Sequence, residues 1–458
     1  MKNRKISLIF IFVGFLISCI YSIYIISKFD KNFIGSNGSI QNYIIKGDTK
    51  VYFEEADLIQ KQLEKNINFL NTGSEYKVSF LYPRLLAIFF YTTDEKIKIN
   101  DQNNENIEIY NTNNKKLLFL FLQSIFYYFC VYIFFKKVFK IISNKILNIL
   151  VFFLCFEPTI LQFHSHFLTE SIYLGLLILL LSFLLDYKKT YKYLIFLGLV
   201  IGAMYLQRTV AIFLIFPIII YFFLKFKRLD ILLKSIFFIF IGQMIILTSL
   251  GYANYKRSDI FYITPSQTKN TMWWYLHDNI VSSADKNSLT NASQKRLNDK
   301  KKWIEDNNIN LENERDRLKL YDYYQNYIFK IFKQYPLESI KIITWKTLQS
   351  SILDPGMVYS TIGADYTKSK YWEDSIFNFT ERIIYSLTIY ILSIVGMIYF
   401  FRKKDYLIPS LFILFGLYHI SVLGWVGASR YSVPSIVCIS LIFAQGLVTI
   451  KQYFNNKN

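Results

Sequence analysis

Residues 6–28 read ISLIFIFVGFLISCIYSIYIISK, between the basic start Lys2-Asn3-Arg4-Lys5 and Asp30. The run carries no charge before its final Lys28, and it exceeds the roughly 20 apolar residues that cross a hydrocarbon core. It is too long for the apolar stretch of a secretory leader, and no small-x-small cleavage site ends it, so it reads as a first membrane span. Nine further segments approach the same criterion, near 117–135, 141–160, 167–185, 193–207, 209–225, 231–252, 383–401, 406–425 and 431–450. A hydrophobic fraction of 53% in 458 residues agrees with repeated spans and argues against several water-soluble cores. The fold class expected is an all-α polytopic membrane protein with about ten transmembrane helices.

The formal net charge is +19, which elsewhere would raise nucleic acid as a partner. Here the basic residues cluster directly after apolar runs, at Lys2-Asn3-Arg4-Lys5, Lys136-Lys137, Lys188-Lys189, Lys225 to Arg228, Arg402-Lys403-Lys404 and Lys451. With ten spans counted, these clusters fall on one side, which identifies it as the cytoplasm and places both termini there. No nucleic-acid partner is expected; membrane lipids are. The four cysteines all sit in apolar segments with no paired spacing, so neither a disulfide nor a zinc site is expected.

This topology divides the chain into an N-terminal transmembrane module at 1–252, an outer region at 253–382 and C-terminal transmembrane helices at 383–458. The first outer loop is 29–116. Within it Asp48 precedes Tyr52, Ala56, Ile59 and Leu63 at helical spacing, while Val78–Tyr91 is too short to span and contains Pro83 and Arg84. The latter reads as an interfacial helix with Arg84 available to headgroups. Residues 94–116 read as a flexible loop. Helical patterns through Asn313–Gln334 and Leu337–Leu353, interrupted at Pro336 and Pro355, predict a small helical outer cap.

The short outer turns hold the residues that fit no topological role. His164 to Glu170, Gln207-Arg208-Thr209 and Gly427 to Tyr431 mark three of them, and Arg208 and Arg430 lie on the side where basic residues are sparse. A guanidinium presents a planar fork matched to phosphate oxygens, so Arg208 and Arg430, with Arg84, are candidates to hold a phosphate; the alternative is snorkelling to headgroups. Asp48 suits either a general base toward an acceptor hydroxyl or a helix N-cap. Glu170 is a second catalytic candidate, or a carboxylate resting at a helix start. His164 and His166 with Glu170 suggest a metal set, but histidines two apart do not share a helical face, so no metal ligands are assigned and a divalent cation stays a possible cofactor. No phosphate-binding Gly-rich loop, Ser-His-Asp order or HExxH occurs, which leaves ATP-driven and hydrolase chemistry without support.

Four patterns together resemble the GT-C superfamily of polytopic glycosyltransferases, particularly bacterial proteins similar to protein O-mannosyltransferases and the lipid A aminoarabinose transferase (glycosyltransferase family 39-like). They are Asp48 with Tyr52 and Ala56, followed by Tyr82-Pro83; Leu168-Thr169-Glu170-Ser171; Gly198 through Arg208-Thr209; and Arg430-Tyr431-Ser432-Val433-Pro434. The sequence departs from these relatives in having Thr49 after Asp48, where many carry Asp-Glu, and Tyr82-Pro83-Arg84 where the aminoarabinose transferases carry Lys-Pro. The resemblance implies a GT-C-like fold in a bacterial cytoplasmic membrane. It implies an inverting hexosyl or pentosyl transfer, with no nucleotide, from a polyprenyl-phosphate donor to a lipid, glycan or protein acceptor at the outer face, and Asp48 at the acid/base position. Tyr52, Tyr82 and Tyr431 within these motifs, and His166 just before the second of them, are the expected substrate contacts. The competing classes are a lipid-linked glycan flippase, which should show charges deep in spans or broken-helix repeats, and a polysaccharide polymerase or ligase. The Asp48 pattern favours the transferase.

Overall fold

The computed structural model describes residues 2–30, 32–34, 40–42, 48–73, 79–90, 96–100, 106–110, 113–188, 190–226, 228–263, 266–311, 313–354, 379–426 and 429–455. Helices α1 (Lys2–Phe29), α4 (Asn113–Val138), α10 (Leu229–Ser258), α15 (Phe379–Arg402), α16 (Leu407–Leu423) and α17 (Val433–Asn455) are each the core of a segment long and apolar enough to cross a membrane. A seventh such segment is bent by 42°, where α5 (Asn144–Phe156) meets α6 (Pro158–Leu161) and the 3-10 turn Gln162–Ser165. Pro158 cannot supply the amide that would continue α5. Buried Glu157 instead accepts from Ile160 N at 2.8 Å and Thr159 Oγ1 at 2.6 Å, capping the new helix.

The remaining expected spans are helical but shorter: α7 (Glu170–Leu185, 16 residues), α8 (Tyr191–Gln207, 17 residues) and α9 (Ile215–Lys225, 11 residues), the last preceded by the 3-10 turn Thr209–Phe213. Helix α7 is apolar all round and buried on nearly every side, the pattern of an interior helix. It packs on α4, α8 and α17, while α1 packs on α4 and α5. Two glycines, Gly198 on α8 and Gly242 on α10, let these helices touch backbone to backbone. A Cβ at Gly198 would lie 2.0 Å from Ile239 O, and one at Gly242 would lie 2.1 Å from Ile195 O. Gly396 and Gly446 do the same between α15 and α17.

The loop at 29–116 departs from the all-α expectation. It carries two antiparallel ribbons: β1 (Asn32–Ile34) with β2 (Ile40–Asn42), and β3 (Lys96–Asn100) with β4 (Asn106–Tyr110). The second replaces much of the flexible loop expected at 94–116. Lys96-Ile97-Lys98-Ile99 and Ile107-Glu108-Ile109-Tyr110 alternate with period two, a strand signal that the surrounding Asn-rich composition masks. Helix α2 (Asp48–Glu64) buries Tyr52, Ala56 and Ile59, as the spacing predicts, against α3 (Leu81–Phe90). Helix α3 differs from a surface-lying anchor. Arg84 is buried and donates to Phe80 O at 3.0 Å and to Thr72 O, with its guanidinium 3.5 Å from the Phe80 ring centre. Backbone carbonyls, which accept its hydrogen bonds at close range, occupy it in place of headgroups. A buried ion pair, Lys116 Nζ to Asp30 Oδ2 at 2.6 Å, closes the loop at its base.

Region 253–382 carries the helices α11 (Ser266–Ala284), α12 (Leu289–Asp306), α13 (Glu314–Gln334) and α14 (Pro336–Ser351), which pack as a cap. The last two follow the sequence pattern closely, with Pro336 opening α14 where a missing amide costs nothing. Trp273 stacks on Tyr324 at 4.2 Å inside this cap, and Arg257 at the end of α10 pairs with Glu314 at 3.0 Å, joining cap to membrane helices.

The α8–α10 contact generates a stability test. Gly198→Val or Gly242→Val pushes the two backbones apart, and overpacking of this kind costs roughly 1–3 kcal/mol. Thermal unfolding of the purified protein in detergent should show the loss, whereas Ala at exposed Phe237 on α10 should leave the midpoint in place.

Candidate functional site

Several segments that are distant in sequence meet at the turn between the bent helix and α7. Thr49 Oγ1, one residue into α2, donates to Phe167 O at 3.3 Å. Gln123, on α4, donates from Nε2 to His164 O at 3.0 Å and His166 O at 2.8 Å, while its Oε1 accepts from Tyr82 OH at 3.3 Å. Gln207 Nε2, at the end of α8, donates to Thr169 O at 3.2 Å. The backbone of Phe80 is tied to Leu206 O at 3.0 Å. These bonds satisfy a turn whose carbonyls are buried in a membrane protein, where an unpaired polar group is costly.

Glu170, at the first position of α7, is fully buried, and its carboxylate is the meeting point of two cations. Arg430 Nε, from the turn before α17, bonds Oε1 directly, and Arg208 Nη1, from the residue after α8, lies 3.4 Å from the same oxygen. The Tyr431 ring flanks both guanidiniums, with its centre 5.4 Å from Arg208 and 5.8 Å from Arg430. One carboxylate cannot neutralise two guanidiniums, so this trio keeps a net positive charge in a water-poor setting. Arg208 Nη1 is buried without a hydrogen bond, since its approach to Glu170 is too poorly aligned to count as one. The arrangement can receive an anion with several acceptor oxygens.

Of the residues singled out from sequence, the structure therefore joins Glu170, Arg208, Arg430 and Tyr431. Tyr52 and Tyr82 form an adjoining buried pair, ring centres 5.2 Å apart, linked to His166 through Gln123. His166 itself is buried, with Nδ1 2.9 Å from Gln162 O. Arg84 stands apart, bound to its own loop. Asp48 is the first residue of α2, but its side chain lies outside the described residues; its neighbour Thr49 places that end of the helix at the Phe167 turn.

The sequence reading missed Tyr173 and His419. Tyr173, one turn after Glu170, places its ring 5.7 Å from Arg208, and its hydroxyl meets His419 Nε2 at 2.9 Å. His419 Nδ1 faces Phe415 O at 2.7 Å. A carbonyl only accepts, so Nδ1 carries the proton and Nε2 accepts from Tyr173, which fixes the ring beneath Arg208. The available signal was polarity inside a span: His419, like Gln123, interrupts an otherwise apolar helix.

Among the described residues no three His, Cys, Asp or Glu side chains gather as a metal site would require. The central carboxylate already faces two guanidiniums, a donor set that repels a divalent cation, so these residues do not fit one.

Residues 75–276, under half of the chain, match the model of the Alg9-like mannosyltransferase family. This is a different family from those the sequence motifs resemble most, and it supports a GT-C-type membrane glycosyltransferase. No curated protein sequence matches the chain. Among solved structures, the chain is similar to the archaeal oligosaccharyltransferase AglB from Archaeoglobus fulgidus in complex with an inhibitory peptide and a dolichol-phosphate. That likeness has 10% identity, covers 98% of this chain and 52% of that one, and has a TM-score of 0.46. The Archaeoglobus fulgidus oligosaccharyltransferase in the apo form gives 10% identity, 96% and 50% coverage and a TM-score of 0.49. The chain thus spans about half the length of these proteins.

The ion trio yields its own prediction. Glu170→Gln leaves two half-buried guanidiniums without this counter-charge, and breaking a buried pair costs roughly 3–5 kcal/mol, an upper bound here. Unfolding in detergent should show that loss, and Glu170→Gln combined with Arg430→Gln should recover part of it. Additive losses in the double variant would mean that the two residues do not interact.

Proposed function

We propose that the protein transfers one sugar from a polyprenyl-phosphate donor to a lipid, glycan or protein acceptor at the outer face of a bacterial cytoplasmic membrane. The observation that carries this reading is the Glu170–Arg208–Arg430 cluster, in a chain whose residues 75–276 match a membrane mannosyltransferase family. Arg208 and Arg430 take the donor phosphate, Tyr431 covers them, and Glu170 and Tyr173 hold the guanidiniums in place. Arg84, committed to Phe80 and Thr72, sets the loop between α2 and α3.

In the reaction, an acceptor hydroxyl attacks the anomeric carbon from the side opposite the phosphate. The new C–O bond forms as the bond to the phosphate oxygen breaks, the electron pair leaves on polyprenyl phosphate, and the anomeric configuration inverts. Asp48 receives the acceptor proton. Charge grows on the leaving phosphate in the transition state, and preorganised guanidiniums stabilise it without reorienting. Tyr52, Tyr82 and His166 shape the neighbouring wall, and the cap at 253–382 limits access of water to the anomeric carbon. Ten crossings are part of the proposal: α7, α8 and α9 reach across together with their flanking turns, and both termini are cytoplasmic.

Asp48→Asn keeps the shape and capping ability of the side chain but removes the base. It should abolish transfer of a radiolabelled sugar from a polyprenyl-phosphate donor by the purified, folded protein; a single-turnover rate near wild type removes Asp48 from the chemistry. Arg208→Lys and Arg430→Lys keep the charge and lose the fork, so donor use should weaken by about 1–3 kcal/mol while acceptor affinity barely changes. Wild-type donor Kd and kcat in both detergent and nanodiscs would make these residues membrane anchors.

The topology is tested separately with cysteines at Asn104 and Asn291. Each should react with an impermeant reagent from outside. Labelling of either one only after the membrane is opened overturns the ten-span arrangement.

A further inference from the structure

Helix α14 belongs to the outer cap, yet one of its faces is apolar and uncovered. Leu337 is 79% exposed, Ile340 64%, Trp345 57% and Leu348 57%, with exposed Lys341 and Thr344 between them. These positions fall on one side of a helix. The opposite side is occupied: Ser339 and Ser350 are buried, and Ile342 and Ile343 pack into the cap core with Trp425.

The height of α14 follows from what holds its end. Tyr390 OH donates to Ser351 O at 2.7 Å, and Leu353 N donates to Ser386 Oγ at 2.8 Å. Ser386 and Tyr390 both lie on α15, inside the span expected at 383–401. At about 1.5 Å per residue they sit about 4.5 and 10.5 Å inside its outer end. Ser350 Oγ also donates to Gly424 O at 2.7 Å, at the outer end of the span containing α16. The C-terminal end of α14 is therefore level with hydrocarbon, and Ile384, Leu387 and Ile391 on α15, the helix it is tied to, are likewise exposed.

We infer that α14 is seated in the outer leaflet, with Leu337, Ile340, Trp345 and Leu348 against lipid and Lys341 at headgroup level. The occupant of this face is the bilayer itself. An amphipathic helix in this position gains from apolar burial at the boundary between headgroups and acyl chains. Ser432 Oγ bonds Ser350 O, two residues from Arg430, so the seating of α14 sets the depth at which the arginine turn is held. The inference rests on the membrane spans and not on sugar transfer.

The test uses the full chain in nanodiscs. Spin labels are placed singly at Trp345 and Leu348 in a background with Cys19, Cys130, Cys155 and Cys438 changed to Ala, with Ile391 on α15 and Lys301 on α12 as lipid and water references. Both sites should match Ile391, with high accessibility to oxygen and several-fold lower accessibility to a water-soluble nickel chelate than at Lys301. Behaviour like Lys301 overturns the inference, as does shielding from both reagents, which would show protein covering the face. A second measurement keeps all native cysteines. Brominated lipid should quench wild-type tryptophan emission more than that of Trp345→Phe, while Trp303→Phe is quenched like wild type; equal quenching of Trp345→Phe and wild type also overturns it.

Discussion

A carboxylate buried between two guanidiniums constrains most of what surrounds it. Ions inside a membrane protein must find partners, and Glu170 finds them on two different elements, the residue after α8 and the turn before α17. That demand fixes the ends of three helices against one another. The polar residues nearby serve the same constraint: Gln207 secures the peptide preceding Glu170, Tyr173 faces the second guanidinium, and His419 orients Tyr173. Removing the trio would take away the ionic tie among the ends of α7, α8 and the turn before α17.

The glycine contacts answer the same problem by other means. In lipid, helices gain little from hiding apolar surface from one another, so close van der Waals approach becomes valuable. Gly198 facing Gly242, and Gly396 facing Gly446, supply it on two sides of the bundle. Helix α8 contributes both a close-packed glycine and, in the residue after its end, Arg208.

Much of the membrane architecture was legible in sequence because hydrocarbon thickness sets a minimum apolar length, and every expected span contains helix. Arg208 and Arg430 were legible because they break the charge asymmetry of the loops, and Glu170 because it opens an otherwise apolar run. Less legible was anything decided by tertiary pairing. The β3–β4 ribbon is five residues a side within an Asn-rich stretch, too short for its alternation to outweigh composition. Arg84 looked like a headgroup ligand since sequence cannot show that Phe80 and Thr72 carbonyls lie within reach. The bend at Glu157 needed the side chain's capping bonds to be seen. Tyr173 and His419, 246 residues apart, become a pair only in three dimensions.

Arg430 joins Glu170 across 260 residues of chain. At roughly 5–20 residues per second, a ribosome takes about 13–52 s to make that interval. Arg208 follows Glu170 by only 38 residues, so the carboxylate has one guanidinium available long before Arg430 is made. The turn before α17 then brings the second guanidinium to the same carboxylate oxygen. The order of synthesis thus gives the carboxylate a partner early and a second one late, so it never waits for α17 to find its first counter-charge.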